Sequence, residues 1–310
     1  MEQNEKNIHP IEPDGVLLVC KHGGVTSHDI VGKIRRLYQT KKVGHTGTLD
    51  PLATGVLVVL LGRAAKACEY LVADQKTYHA GLRLGLTTDT EDITGEVLTT
   101  STQIPTADEL EAVLPQFRGK IKQIPPMYSA LKVGGKKLVD LARQGITVER
   151  QAREIEIFAL SAAKGDTPAD YLLDVTCSGG TYIRTLCADI GSALGCGGVM
   201  TTLERRRVSN FSIENAHSIG ELEAMTPEER LGLLIPTESL FADLKCVRLP
   251  AFYEKLCRSG CEIYLKKIGI SLPVGTRVRL CNATGEFFAL GEVSEYPDGI
   301  AVKSIKIFSL

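Results

Sequence analysis

The run Gly44-His45-Thr46-Gly47-Thr48-Leu49-Asp50-Pro51-Leu52-Ala53-Thr54-Gly55 limits what this chain can fold into more than any other stretch. Three glycines and a proline among twelve residues exclude a regular helix or central strand, because glycine visits dihedrals that other residues avoid and proline lacks a backbone donor. The run is a shaped loop. Asp50 precedes Pro51 and is pushed towards extended backbone, and the uninterrupted apolar stretch Val56-Leu57-Val58-Val59-Leu60-Leu61 that follows predicts a buried strand. A carboxylate is thereby held on a stiff loop beside the core. Two readings of Asp50 stand: an aspartate that caps a turn, or a charge placed to do chemistry.

At 310 residues the chain exceeds the usual single-domain size, and 44% hydrophobic with 24% charged residues predicts a globular fold with an ample core. The start, Met1 to Asn7, is polar and carries acid, unlike a signal peptide, and no apolar run approaches the roughly 18 residues of a membrane span. The expectation is a cytoplasmic protein with no membrane contact. Nine cysteines without a CxxC pair predict reduced, buried thiols and no zinc site. The net charge of −1 gives no global signal for nucleic acid. Locally, Lys33 to Lys42 holds five cations and no acid just before the loop, and Lys132 with Lys136-Lys137 and Arg205-Arg206-Arg207 form smaller clusters. Phosphate binding needs such local cations, although each cluster could equally be a solvated face.

In chain order, Gly15 to Lys21 predicts a strand, and Ser27 a cap for a helix with Ile30, Val31, Ile34, Leu37 and Tyr38 at helical spacing, its basic residues turned to the Asp50 loop. Arg63 to Leu71 predicts a short helix. Lys76 to Leu86 alternates, with Tyr78, Ala80, Leu82 and Leu84 on one face. Thr87 to Gly95 is a polar loop; it lacks the far glutamate and the glycine of a calcium loop, and its acids at 89–92 are expected to be solvated. Thr106 opens a helix with a capping box, Gly134-Gly135 turns a hairpin, Lys136 to Gln144 is helical up to a left-handed Gly145, and Arg153 to Lys164 and Asp170 to Ser178 are strands. Cys177 to Leu186 runs from strand through Gly179-Gly180 into a helix capped by Thr181; its terminus could hold an anion beside Arg184, or Arg184 could be a surface residue. Val199 to Val208 predicts a strand, and Ser218 and Thr226 open two further helices. From about residue 246 short strands between glycine turns predict a small all-β module.

Several separate motifs match one family in order. The Asp50 loop, Ile124-Pro125-Pro126-Met127-Tyr128-Ser129-Ala130-Leu131-Lys132, Lys136-Lys137-Leu138, Ala142-Arg143-Gln144-Gly145 and Gly180-Thr181-Tyr182-Ile183-Arg184-Thr185 closely resemble the bacterial tRNA pseudouridine synthase B (TruB) family, from about Gly15 to Phe241. The resemblance implies an α+β fold with a mixed, largely antiparallel central sheet, and a C-terminal PUA-like domain. It divides the chain into a flexible N-terminus (1–14), a catalytic domain (15–243) and an RNA-binding domain (244–310). It implies Asp50 as the catalytic carboxylate, Tyr78 as the aromatic packed on the target base, and Arg184 as the partner of Asp50. Tyr182 and Leu203 would line the uracil pocket, His45 would enter the T-loop stack, and Lys21 would support the site. Cys20-Lys21-His22 departs from the family's usual Asp-Lys-Pro, which leaves Lys21 in place but not the rigid turn.

The implied reaction converts the T-loop uridine of tRNA, conventionally position 55, to pseudouridine. It breaks an N1–C1′ bond and makes a C5–C1′ bond without redox change, so neither cofactor nor metal is expected. The partner is the tRNA T-arm, with no obligate protein partner and a monomeric enzyme. A carboxylate can act there as nucleophile or base, and a charge taken out of water needs a partner such as Arg184. The base must leave its stack, and an aromatic ring such as Tyr78 restores stacking worth about 1–3 kcal/mol; by itself Tyr78 could equally be a core residue. Two other readings are an RNA-binding or RNA-folding protein in which Asp50 is structural, and a carboxylate glycosidase, which would want a second acid that no motif supplies.

Overall fold

A computed structural model describes residues 12–71 and 75–309. Of the N-terminal segment expected to be flexible, residues 1–11 lie outside the described residues; Asp14, by contrast, is paired with Arg63 at 2.8 Å.

Strand β1 (Gly15–Lys21) and strand β3 (Thr54–Leu61) pair antiparallel along their whole lengths and are almost entirely buried, which is why both read as unbroken apolar runs. Helix α1 (Ser27–Leu37) lies between β1 and the short strand β2 (Val43–His45), burying Ile30, Val31 and Ile34 against Leu17, Val19, Leu57 and Val59. Strand β4 (Lys76–Leu84) alternates as expected, with Tyr78, Ala80, Leu82 and Leu84 inward. On its other face His79 meets Asp174, and Arg83 grips Asp170 with two hydrogen bonds.

The central sheet runs 217–218, β1, β3, 198–208, β4, 170–177, 153–164, 119–123. All neighbours are antiparallel except 217–218 with β1 and 198–208 with β3. That last contact is brief: only Glu204 with Thr54 and Arg205 with Gly55 pair before the strands diverge. Gly55 takes φ +102° there, and a Cβ on it would lie 2.3 Å from the Arg205 carbonyl oxygen, so only glycine lets the Asp50 loop enter the sheet at this point. The Ile183–Ala193 helix covers the 198–208 strand, with Ile183, Leu186, Cys187 and Ile190 in the main core.

From Cys246 onward a five-stranded sheet forms, in the order 246–248, 277–281, 287–296, 299–307, 263–264. It is not a separate bead. Phe287, Leu290 and Phe308 share one apolar cluster with Val16, Leu18, Val56 and Phe241, and the rings of Phe241, Phe287 and Phe308 lie 5.5 to 5.9 Å apart.

Five local expectations need correction. The cap of α1 is Thr26, whose hydroxyl takes the Asp29 amide; Ser27 is buried and instead bonds the backbone of Leu49 on both sides, tethering the Asp50 loop. Residues 62–70 form a 3-10 helix, and the helix after the Gly134-Gly135 hairpin is only Leu138–Ala142. The 183–193 helix has Tyr182 at its cap with no side-chain bond, because the Thr181 hydroxyl turns back to the Ser178 carbonyl. Five of the nine free cysteines are buried, while Cys20, Cys68 and Cys246 are half-buried and Cys261 exposed.

Candidate active site

The loop between β2 and β3, the start of β4, the 198–208 strand and the start of the 183–193 helix converge on a cavity of about 340 Å³, within the range of small-molecule sites. Asp50 lies on its wall. Arg184 reaches it from the first turn of the helix, Nε to Oδ2 at 2.8 Å and Nη2 to Oδ1 at 3.3 Å, a two-pronged pair. The guanidinium is 5% exposed while the carboxylate keeps 35%, so the cation is the buried anchor and the anion the accessible face. The remaining donors go to the carbonyls of Thr90 (3.0 Å) and Tyr128 (2.8 Å). The surface-arginine reading of Arg184 is thereby excluded.

The loop after β4 supplies groups that sequence reasoning set aside as solvated. Asp92 is buried, accepts from Thr90 Oγ1, Thr94 Oγ1 and the Thr94 amide, and turns its other oxygen to within 4.0 Å of Arg184 Nε. Glu91 adopts φ +63°, unusual for a side chain of its size, and accepts the Thr185 hydroxyl. Burial raises its pKa, and burial plus Glu91 pushes Asp189 up to about 6. The loop is pinned to the 198–208 strand by Ile93 N–H to Met200 O and Met200 N–H to Glu91 O. Only the acid spacing of 89–92 hinted at this; its meaning depends on a strand more than a hundred residues later.

Tyr78 is 7% exposed and lines the cavity; burial raises its phenol pKa, and its cross-strand neighbour is Arg205. Leu203 and Tyr182 line it too. Tyr182 is fixed through its backbone, its N–H and C=O both bonded to the Gln123 side chain at 2.8 and 3.0 Å. One amide of the expected anion site is therefore occupied by protein. His45 sits at the end of β2, outside the cavity lining, with Nδ1 buried and unbonded. Burial, then the Arg205 charge, lowers its pKa, so the ring is neutral near pH 7. Of the basic clusters, Arg35 bonds the Val43 carbonyl, Lys42 pairs with Glu12, Arg206 pairs with Glu204, and Arg205 is buried.

Lys21 does not face the cavity. It lies beneath the loop, fully buried, and its ammonium donates to the carbonyls of His22 (3.0 Å), Pro51 (3.3 Å) and Ala53 (2.5 Å). The turn that lacks the usual proline is closed instead by Gly24 N–H to Pro51 O at 2.8 Å. Burial lowers the Lys21 pKa from 10.5 to about 8, against the opposing pull of Asp50. A base whose folded pKa is depressed penalises the fold while protonated, so its contribution to stability improves as pH rises from about 8 towards 10.5. Urea melts of wild type and Lys21→Met over that window should differ in slope, the variant lacking the increment; parallel curves would contradict the assignment.

Residues 35–183 match the TruB family pseudouridylate synthase (N terminal domain), and residues 184–242 match the tRNA pseudouridylate synthase B C-terminal domain. Among curated proteins, the tRNA pseudouridine synthase B of Alkaliphilus oremlandii is 43% identical over 267 residues, 86% of this chain and 88% of its own length. That of Burkholderia mallei is 42% identical over 284 residues, 91% of this chain and 94% of its own. Among solved structures, an archaeal box H/ACA sRNP Nop10-Cbf5 complex matches with a TM-score of 0.72 at 25% identity, covering 98% of this chain and 89% of that one.

Proposed function

The chain belongs to the TruB family of pseudouridylate synthases, and from that premise we propose that it isomerises the T-loop uridine of tRNA at conventional position 55, with Asp50 as the catalytic carboxylate. The activity is that of a tRNA pseudouridine synthase. One observation carries the roles: an accessible carboxylate gripped from behind by a buried arginine, on the wall of a cavity that Tyr78 also lines.

Each side chain then has a task. Arg184 holds Asp50 as an aimed anion, Tyr78 stacks on the extruded base, and Tyr182 and Leu203 close the pocket around uracil. His45, neutral and at the rim of the loop, takes the place of the flipped base in the RNA stack. Lys21 holds the loop from below. Asp50 acts on the nucleoside as nucleophile or as base, and no external electron source or cofactor is used. Residues 15–243 form the catalytic domain and 244–310 a PUA-like domain that adds RNA contacts. The enzyme works in the cytoplasm as a monomer, without an obligate protein partner; among the described residues no helix is long and apolar enough to cross a membrane.

The direct test is to incubate purified protein with unmodified tRNA transcript and map pseudouridine by position: one new pseudouridine at position 55 is expected, and none would end the proposal. Binding should also weaken steeply with salt. If about three or four phosphates are neutralised, the affinity falls roughly 130- to 600-fold for each tenfold rise in salt at a slope of about −0.7 per contact on single-stranded RNA. A filter-binding constant indifferent to salt would contradict the phosphate contacts.

A further inference from the structure

Arg205 is 1% exposed, yet it lines the same cavity as Asp50. Its Nε donates to the Val56 carbonyl at 2.9 Å and Nη2 to the Gly47 carbonyl at 3.1 Å, both neutral acceptors. No ion pair among the described residues includes it: the adjacent Glu204 pairs with Arg206, and Asp50 is engaged by Arg184. Its remaining neighbour of note is the Tyr78 phenol. The guanidinium is held in place by the same backbone that positions Asp50, since Gly55 abuts the Arg205 carbonyl and Gly47 lies against its side chain. A desolvated cation that no carboxylate balances is costly, and is retained where a negative charge arrives during function.

The isomerisation delivers such a charge. The N1–C1′ bond breaks with its electron pair left on uracil. If an Asp50 oxygen bonds to C1′, or if Asp50 takes the C2′ proton while the C2′–H pair becomes a C1′=C2′ double bond, the carboxylate is neutralised and the base becomes an anion spread over N1, O2 and O4. The negative charge thus moves away from Arg184. When C5 then bonds to C1′, Asp50 is regenerated as a carboxylate, by leaving C1′ or by returning its proton to C2′; the C5 proton is lost and N1 gains one. We infer that Arg205 is a further catalytic residue, the counter-charge that receives the departing uracil anion through a carbonyl oxygen of the base. The inference rests on the synthase reading above.

The test compares single-turnover cleavage of the N1–C1′ bond in tRNA carrying uridine or 5-fluorouridine at the target, with Arg205→Gln. Fluorine makes the base a better anion by itself, so it needs the guanidinium less. With uridine the variant should lose about 100-fold, the scale of one oxyanion-stabilising donor; with 5-fluorouridine the loss should shrink to about 10-fold or less. Thermal melts and tRNA binding accompany the rates. Should the Gln variant fail to fold, Arg205→Lys replaces it; its single ammonium cannot hold both carbonyls and still face the base, and the same contraction of the loss is expected. Equal losses on both substrates, or wild-type rates on uridine, would overturn the inference while leaving the synthase reading intact. Only a wild-type enzyme that makes no pseudouridine would remove that reading as well.

Discussion

Replacing Asp50 with asparagine should abolish pseudouridine formation, by about 10⁴-fold or more in single-turnover rate, the scale seen when the reacting group itself is removed. Asparagine keeps the volume and one acceptor for Arg184 Nε, so the loop, still tied by Ser27 to Leu49 and by Lys21 to Ala53, keeps its shape. Binding of tRNA should therefore remain near wild type. The variant lacks a nucleophilic or basic oxygen and leaves Arg184 balanced only by Asp92 at 4.0 Å. A modest loss of stability follows, about 1–3 kcal/mol for the weakened charge-assisted bond. Rapid-quench turnover with filter binding on one preparation decides the matter: a variant turning over within tenfold of wild type would make Asp50 structural.

The second large effect is expected at Arg184. Its guanidinium makes four hydrogen bonds at once, to both oxygens of Asp50 and to the carbonyls of Thr90 and Tyr128. A lysine ammonium is a point donor that cannot span this set, so Arg184→Lys should lower the single-turnover rate by about 10²- to 10³-fold. Arg184→Gln should in addition destabilise the fold by about 3–5 kcal/mol, because Asp50 and the buried Asp92 would face each other without a cation. Denaturant melts separate the two effects: Lys should keep most of the stability and lose the rate, and Gln should lose both. Unchanged rates in Arg184→Lys would mean that the pair does not aim Asp50.

The contrast between Asp50 and Asp92 marks what can be read from a chain alone. Asp50 announces itself because glycines and proline around it dictate a loop, and Tyr78 because strict alternation fixes the face it occupies. Strand β1, strand β4 and three capping boxes are local properties in the same sense. Asp92 and Glu91 look solvated in the sequence because Ile93 is the one apolar residue between Thr87 and Glu96. Their burial comes from Met200 and Thr185, which only the folded sheet brings against them. Arg205 was hidden differently: it sits in a triplet of arginines that reads as a basic surface, and only the register of three strands, Gly55 beside Arg205 beside Tyr78, turns one of the three inward. Ser27 and Thr181 read as caps because each carries a hydroxyl near the start of a helix, but Thr26 holds the Asp29 amide instead and the Thr181 hydroxyl turns back to the Ser178 carbonyl.

The three phenylalanines at the seam between the two sheets have a mechanical consequence. Because Phe287 and Phe308 complete a cluster begun by Val16 and Val56, the C-terminal sheet is bolted to the back of the strand that follows the Asp50 loop. The span from Asp50 to the far face of that sheet is then set by side-chain interlock and not by tether length, so the molecule behaves as a fixed caliper. A chain cut at Leu244 would lose its second jaw and also uncover the oily underside of β1 and β3.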